Sequence, residues 1–379
     1  MHLTYDANHH AMNALRVSTF ARRATPLSSS ALVHPLPLPL PVAAAPRASN
    51  KRRLSSREGG GGGGRAAKTA LVLGSSGCLG SHIVRHLSRN LGHTVIGADC
   101  VDPPAEQADH DLLDAFLPLP HPTTEAGLAQ TATDLVLGLR EIDEMSGQAG
   151  RWHDGGTRGA GGTGGLVLDA VICASGGWEG DPPPPDADAA EFQGDEWEER
   201  LLAADAASHG DSADRMLRMN LHPVLAAGRA MDRYMGGEGL FVALGATAAL
   251  APTPSMAAYG AAKAAVHHYV QTLGASCGPK TGLGHKALRK KASTTVRQRA
   301  VYLDDLTAVA ILPSMIDTPS NRRFAEEGAD FSQWTRPDDI AAEIGMWMER
   351  PYARPHSGSL IKVFPNAKTG EGAVFTLAR

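Results

Sequence analysis

Apolar residues fall into short runs bounded by turn formers. Thr69–Leu73 (TALVL) leads directly into a glycine-rich stretch, and a continuous apolar run of this length predicts a buried strand. His93–Ala98, Leu166–Ala174, Leu240–Leu244, Thr307–Leu312 and Ser359–Phe364 repeat the pattern, and a weaker strand is predicted near His110–Leu113. Between these runs the apolar spacing changes to that of helices. Ile83, Val84 and Leu87 share one face of Ser81–Asn90, and similar patterns cover about 125–140, 212–235, 256–274 and 337–349. Strands alternating with helices predict a doubly wound α/β domain whose parallel sheet is covered on both faces.

Composition changes this picture in two places. A chain of 379 residues would ordinarily hold roughly two to three domains. Residues 1–67, however, have no packed-core pattern: they carry nine Arg or Lys against Asp6 and Glu58, and end near six glycines, 59–64. This segment is predicted to be a disordered, low-complexity basic extension. An Arg- and Ser-rich, acid-poor composition fits a cleaved transit peptide to a mitochondrion or plastid, and without cleavage the protein is expected in the cytoplasm. The remaining 68–379 hold 27 basic and 38 acidic residues, a balance that disfavours nucleic acid. Three Gly-, Pro- or charge-rich segments, near 146–165, 181–210 and 278–305, interrupt the pattern as insertions, the first two expected to be unstructured. Cys78, Cys100, Cys173 and Cys277 are scattered with no CxxC pair, so neither a disulfide framework nor a metal site is expected. No run of 18 apolar residues occurs, so no membrane-spanning helix is predicted.

The chemistry begins at Gly74-Ser75-Ser76-Gly77-Cys78-Leu79-Gly80, between the first strand and the first helix. Phosphates need backbone N–H groups at close range, which side chains would obstruct, and the following helix N-terminus favours negative charge. Asp99 ends the second strand 19 residues beyond Gly80. Its carboxylate can accept hydrogen bonds from both ribose hydroxyls of NAD and would repel the extra phosphate of NADP. This turn in this context is a Rossmann-type dinucleotide signature, predicting NADH as the preferred cofactor and NADPH as the weaker one. The alternative is a tight turn beside a solvated acid.

Tyr259 and Lys263 are four apart in a segment whose Val266, Val270 and Leu273 form an apolar stripe. On a helix the two share a face. A neighbouring ammonium would stabilise the phenolate and lower the tyrosine pKa towards a working range, making Tyr259 and Lys263 the candidate catalytic pair. The lysine can also bind the nicotinamide ribose. Trp178 follows Gly176 and Gly177 at the end of a strand, where ligands of α/β sheets bind. It is either a stacking surface for a flat substrate or a packing anchor. Asn220 is either a site residue or a buried polar group bonding its own helix. His267 and His268 lie one turn beyond Lys263, with no third ligand spaced to join them to a metal.

Taken together, the glycine turn, Asp99 and the Tyr259/Lys263 pair resemble the short-chain dehydrogenase/reductase superfamily. Within it, residues 169–181 (DAVICASGGWEGD), 245–263 (GATAALAPTPSMAAYGAAK), 312–322 (LPSMIDTPSNR), 330–335 and 357–363 resemble, in collinear order, the dihydropteridine reductase family. The resemblance implies reduction of a quinonoid dihydropterin to the tetrahydropterin, in a homodimer built on the helices at 212–235 and 256–274. It implies cofactor contacts from Gly74, Ser75, Ser76, Gly77, Leu79, Gly80, Asp99, Ala174, Gly176, Lys263 and Thr318, and substrate contacts from Trp178, Tyr259 and Asn321. One departure from the superfamily is informative. The serine that commonly stands 13 residues before the tyrosine is here Ala246, with Thr247 beside it but expected to point elsewhere. That hydroxyl holds the oxygen of a carbonyl substrate, so its absence favours a pterin. A reductase of another quinonoid or carbonyl compound, or a silent dinucleotide sensor, remains the alternative.

Overall fold

A computed structural model describes residues 66–105, 107, 111–122, 126–149, 165–183, 186, 197–276, 306–366 and 372–378, all within one compact unit. Among these residues eight strands form one sheet: β1 (Thr69–Leu73), β2 (Thr94–Asp99), β3 (Ala115–Pro118), β4 (Leu168–Cys173), β5 (Met235–Leu244), β6 (Thr307–Pro313), β7 (Ser359–Pro365) and β8 (Ala373–Leu377). Their order is β3-β2-β1-β4-β5-β6-β7-β8, parallel throughout except for β7 against β8. The chain winds outward in opposite directions from β1 and β4, so a crevice opens at the carboxyl ends of those two strands.

Among the described residues seven α-helices flank the sheet: α1 (Cys78–Arg85, continued by one π turn to Asn90), α2 (Leu128–Ala149), α3 (Trp197–Asn220), α4 (His222–Tyr234), α5 (Ala257–Ser276), α6 (Pro319–Arg323) and α7 (Pro337–Glu349). Alternate residues of each strand face opposite sides. Leu71 and Leu73 join Leu135, Ala227 and Val266 in one core layer, while Ala70 and Val72 join Ile83, Ile340 and Trp347 in the other. Both faces of the central strands are therefore dry. This is why the strands read in sequence as continuous apolar runs.

The six strong strands lie where the apolar runs place them. The weak one does not: β3 is Ala115–Pro118, and Asp111–Asp114 is its approach, with Asp114 accepting the Val95 N–H at 2.8 Å. The second insertion is also corrected. From Trp197 onward it is α3, so the helix expected from 212 begins fifteen residues earlier and ends at Asn220, where α4 takes over. Its acidic start reads as a solvated face by composition, and residues 197–200 are exposed. Glu198 and Glu199 nevertheless lie in the first helical turn, where carboxylates complement the helix dipole. Residues 146–149 belong to α2. The extension up to residue 65, and segments 150–164, 187–196 and 277–305, lie outside the described residues. The antiparallel β8 has no counterpart among the predicted strands; it follows Gly372, whose φ is +72°.

Candidate active site

The glycine turn is pressed against the end of β4. Gly74 has φ +78°, and a Cβ there would lie 2.5 Å from the Ser175 backbone nitrogen; one at Gly80 would lie 1.9 Å from the Gly74 carbonyl oxygen. No residue with a side chain fits either position without moving backbone. Gly77 begins α1 and supplies no side-chain cap, which leaves the amides of the first turn open to an anionic group. Ser76 ties the turn to β2: its N–H donates to Asp99 Oδ2 at 2.9 Å and its hydroxyl to the Val101 carbonyl at 2.8 Å. Asp99 Oδ1 also accepts the Cys100 and Val101 amides, at 2.7 and 3.3 Å.

A cavity of about 260 Å³ opens here, lined by Gly74, Ser76, Gly77, Asp99, Ala174, Gly176 and, on its far side, by Leu119, Arg218 and His222. A glycine cradle, open helix amides and a carboxylate at the rim fit a nicotinamide dinucleotide. The side chains of Ser75 and Leu79 do not reach it. Leu79 packs in the core and Ser75 is fully buried under the turn, so each can offer only backbone. Gly80→Ala is expected to reduce stability by about 1–3 kcal/mol and to weaken dinucleotide binding, checked by urea unfolding and NADH fluorescence titration.

Lys263 abuts this cavity. Its Nζ lies 3.1 Å from where a Cβ on Gly176 would stand, and it donates to the Leu244 carbonyl at 2.8 Å. The lysine is 5% exposed, and burial pulls its pKa down to about 8. Tyr259 sits one turn earlier on α5, half-buried, with its hydroxyl free of protein partners among the described residues. Burial pushes its pKa up to about 12. The expected lowering by Lys263 is therefore absent here, because desolvation dominates and the ammonium is held on the Leu244 carbonyl. Ala246 is buried, and the Thr247 hydroxyl donates to the Pro313 carbonyl at 3.2 Å, so it does not stand in for the missing serine.

The loop after β4 joins the cofactor side to the opposite wall. Asn220, fully buried, donates to the carbonyls of Gly177 (3.0 Å) and Met216 (3.1 Å) and accepts the Gly177 amide at 3.3 Å. Asn220 thus bonds its own helix, as a buried polar group would, and also clamps the loop after β4. Glu179 accepts from Arg215 and Ser212 on α3. Asp181 accepts the Ala257 amide at the start of α5 (2.9 Å) and donates its own N–H to Ser255, a left-handed residue with φ +63°. Trp178 is 43% exposed; its indole N–H donates to Asn321 Oδ1 at 3.2 Å and its ring meets Phe324 edge-on at 5.7 Å. Asn321 is itself fixed by Thr318 Oγ1 and the Ile316 carbonyl, and Asp317 pairs with Arg322. Thr318 thus acts as the cap of α6.

Known proteins bear on the helical half of this site. Residues 202–281, which include Asn220, Tyr259 and Lys263, match the family model for short chain dehydrogenases. Over that segment the chain is similar to the short-chain dehydrogenase/reductase family. It is 28% identical over 302 residues to a dihydropteridine reductase of Dictyostelium discoideum, spanning 80% of this chain and 96% of that one. Among solved structures, it is similar to a short chain dehydrogenase family protein of Francisella tularensis at 15% identity and TM-score 0.49, with 78% and 97% of the two chains covered. It is also similar to the 3-ketoacyl-(acyl-carrier-protein) reductase of Brucella melitensis, solved with NADH, at 17% identity and TM-score 0.48, with 79% and 97% covered. The family match and the curated relative are both those of oxidoreductases.

Several site residues escape a reading by motif. Asp181, Glu179, Arg215 and Phe324 act through contacts between segments far apart in sequence. His267 had a local signal, since it stands four residues after Lys263 and so shares its face. It points inward at 5% exposure, which removes it from any helix-face interface, whereas His268 is exposed. Among the described residues no helix is long and apolar enough to cross a membrane, and no group of three potential ligands could hold a metal ion.

Proposed function

We propose that the protein reduces a quinonoid dihydropterin to the tetrahydropterin with NADH. The observation that carries this reading is Ala246, which leaves no hydroxyl for a carbonyl oxygen beside an intact Tyr259/Lys263 pair. The likeness to a dihydropteridine reductase across most of both chains supports it. A bound dihydronicotinamide supplies the hydride. Tyr259 delivers the accompanying proton from its phenol, which stays protonated at neutral pH in its buried setting. Lys263 binds the ribose and provides the positive charge nearest the tyrosine. Trp178, whose N–H is engaged by Asn321, offers its face to a flat bicycle, with Asn321 and Phe324 completing that wall.

Asp99 selects NADH in this reading. Asp99→Ser is expected to shift the NADPH:NADH ratio of kcat/KM by about tenfold towards NADPH, a change of roughly 1.4 kcal/mol. It should also lower NADH turnover, because the Ser76 amide loses its acceptor. Steady-state assays with both cofactors check this. The same reading takes 68–379 as one catalytic domain, paired in a homodimer, with 1–67 as an extension that directs an organellar form if cleaved and leaves a cytoplasmic one if not. The deciding experiment is NADH oxidation with freshly generated quinonoid dihydropterin, run beside a panel of quinones and carbonyl compounds. Turnover of those compounds without the pterin would move the assignment to another reductase. Tight NADH binding with no hydride transfer to any of them would make the protein a sensor.

A further inference from the structure

His267 is a buried imidazole directly beneath the Tyr259/Lys263 pair, and the mechanism above leaves it without a task. Its Nε2 lies 3.2 Å from the Ala246 amide nitrogen. A neutral imidazole accepts at one nitrogen and donates at the other, so this contact assigns the proton to Nδ1. Burial, followed by the neighbouring Lys263 charge, pulls the His267 pKa down to about 4, so the acceptor form is the one present at neutral pH. One turn earlier on α5, Lys263 donates to the Leu244 carbonyl at 2.8 Å. Two side chains four apart on one helix therefore grip the chain on either side of Gly245, one by a carbonyl and one by an amide. Gly245 is required for this: a Cβ there would lie 2.4 Å from His267 Nε2 and 3.1 Å from Leu312 Cδ1.

We infer that His267 is a positioning residue: its bond to the Ala246 amide fixes the end of β5, and through the Leu244 carbonyl it fixes the site of the Lys263 ammonium. The role matters because Ala246 stands where superfamily members carry a serine. With no side-chain hydroxyl to order the site, the backbone at 244–246 forms its floor, and α5 holds that floor from below. Lys263 is also within contact distance of Gly176 and so of the loop clamped by Asn220. A drift of the Leu244 carbonyl would carry the lysine away from both cofactor and tyrosine.

The inference rests on the NAD(P)-dependent hydride-transfer reading, and its test separates the two. His267→Leu keeps bulk but cannot accept the Ala246 amide, whereas His267→Gln presents a carbonyl that can. In His267→Leu, kcat per folded enzyme is expected to fall on the order of 10- to 100-fold, with a raised NADH Kd and a smaller change in the pterin KM. His267→Gln is expected to recover most of both losses. Thermal unfolding is measured for each variant, so that kinetics are referred to folded protein. Parent-like kcat and NADH Kd in His267→Leu would overturn the assignment. So would His267→Gln being as impaired as His267→Leu, since the acceptor would then be irrelevant. If the parent turns over no pterin, the function falls, but the NADH Kd series across the two variants still decides the role of His267.

Discussion

Tyr259→Phe is expected to lower kcat for quinonoid dihydropterin by about 10²-fold or more while leaving the NADH Kd near that of the parent. General acid catalysis by a positioned side chain is typically worth 10²–10⁴-fold, and the substitution removes only the hydroxyl. That hydroxyl has no protein partner among the described residues, so its loss orphans nothing and the fold should be unaffected. The phenol is pushed up to about 12 by burial. A proton donor of that kind is fully loaded across the neutral and mildly alkaline range, so depletion of the phenol should not shape the profile below about pH 10. Stopped-flow measurement of NADH oxidation with the pterin in excess isolates the chemical step. Undiminished turnover would remove Tyr259 from the reaction.

Lys263→Met is expected to abolish measurable turnover and at the same time to stabilise the cofactor-free protein. The lysine is nearly fully buried and, among the described residues, donates to the Leu244 carbonyl. Its pKa of about 8, against an ordinary value of 10.5, means that holding the charge inside the fold costs roughly 3 kcal/mol at neutral pH. Methionine fills similar space without that charge, and a gain of about 1–3 kcal/mol in unfolding free energy is expected. The sign follows from proton binding. Between pH 8 and 10.5 the unfolded chain holds the Lys263 proton and the folded one has released it, so this group adds stability as pH rises. Below pH 8 the penalty is present in full. The stability difference between variant and parent should therefore be greatest below pH 8 and shrink towards pH 10.5, a comparison that cancels the opposing titration of Tyr259, whose shift comes from burial alone. In the parent, kcat/KM for NADH reports the free enzyme and should fall above about pH 8 as the ammonium that binds the ribose is lost. A variant less stable than the parent at pH 7 would show that Lys263 serves the fold and not the site.

A buried cation that weakens the fold it sits in is a common mark of a functional site. The lysine shares this position with His267, a titratable group whose neutral form burial favours. Both lie on the face of α5 that points at the end of β5.

The parts of this protein legible in sequence are those set by short-range rules. Buried parallel strands appear as continuous apolar runs, and so six strands were placeable from composition alone. Gly74 and Gly80 announce a turn where side chains do not fit, and Tyr259 and Lys263 are placed together by helical spacing. The weak strand was misplaced because Ala115–Pro118 is a four-residue edge element with one buried side chain, too short to leave a pattern. The first half of α3 falls in a segment expected to be unstructured because that half is solvated and leaves no apolar stripe; its buried residues begin only at Ser212.

What only the tertiary structure decided concerns direction and partner. It turned Leu79 and Ser75 into the protein interior, sent the Thr247 hydroxyl to Pro313, and raised the Tyr259 pKa instead of lowering it. It brought Asp181 to the head of α5 and His267 to Ala246. Sequence spacing fixes which residues share a helix face or follow a strand. Hydrogen-bond partners and desolvation depend on segments 20 to 140 residues apart meeting at one edge of the sheet, and no local pattern encodes that meeting.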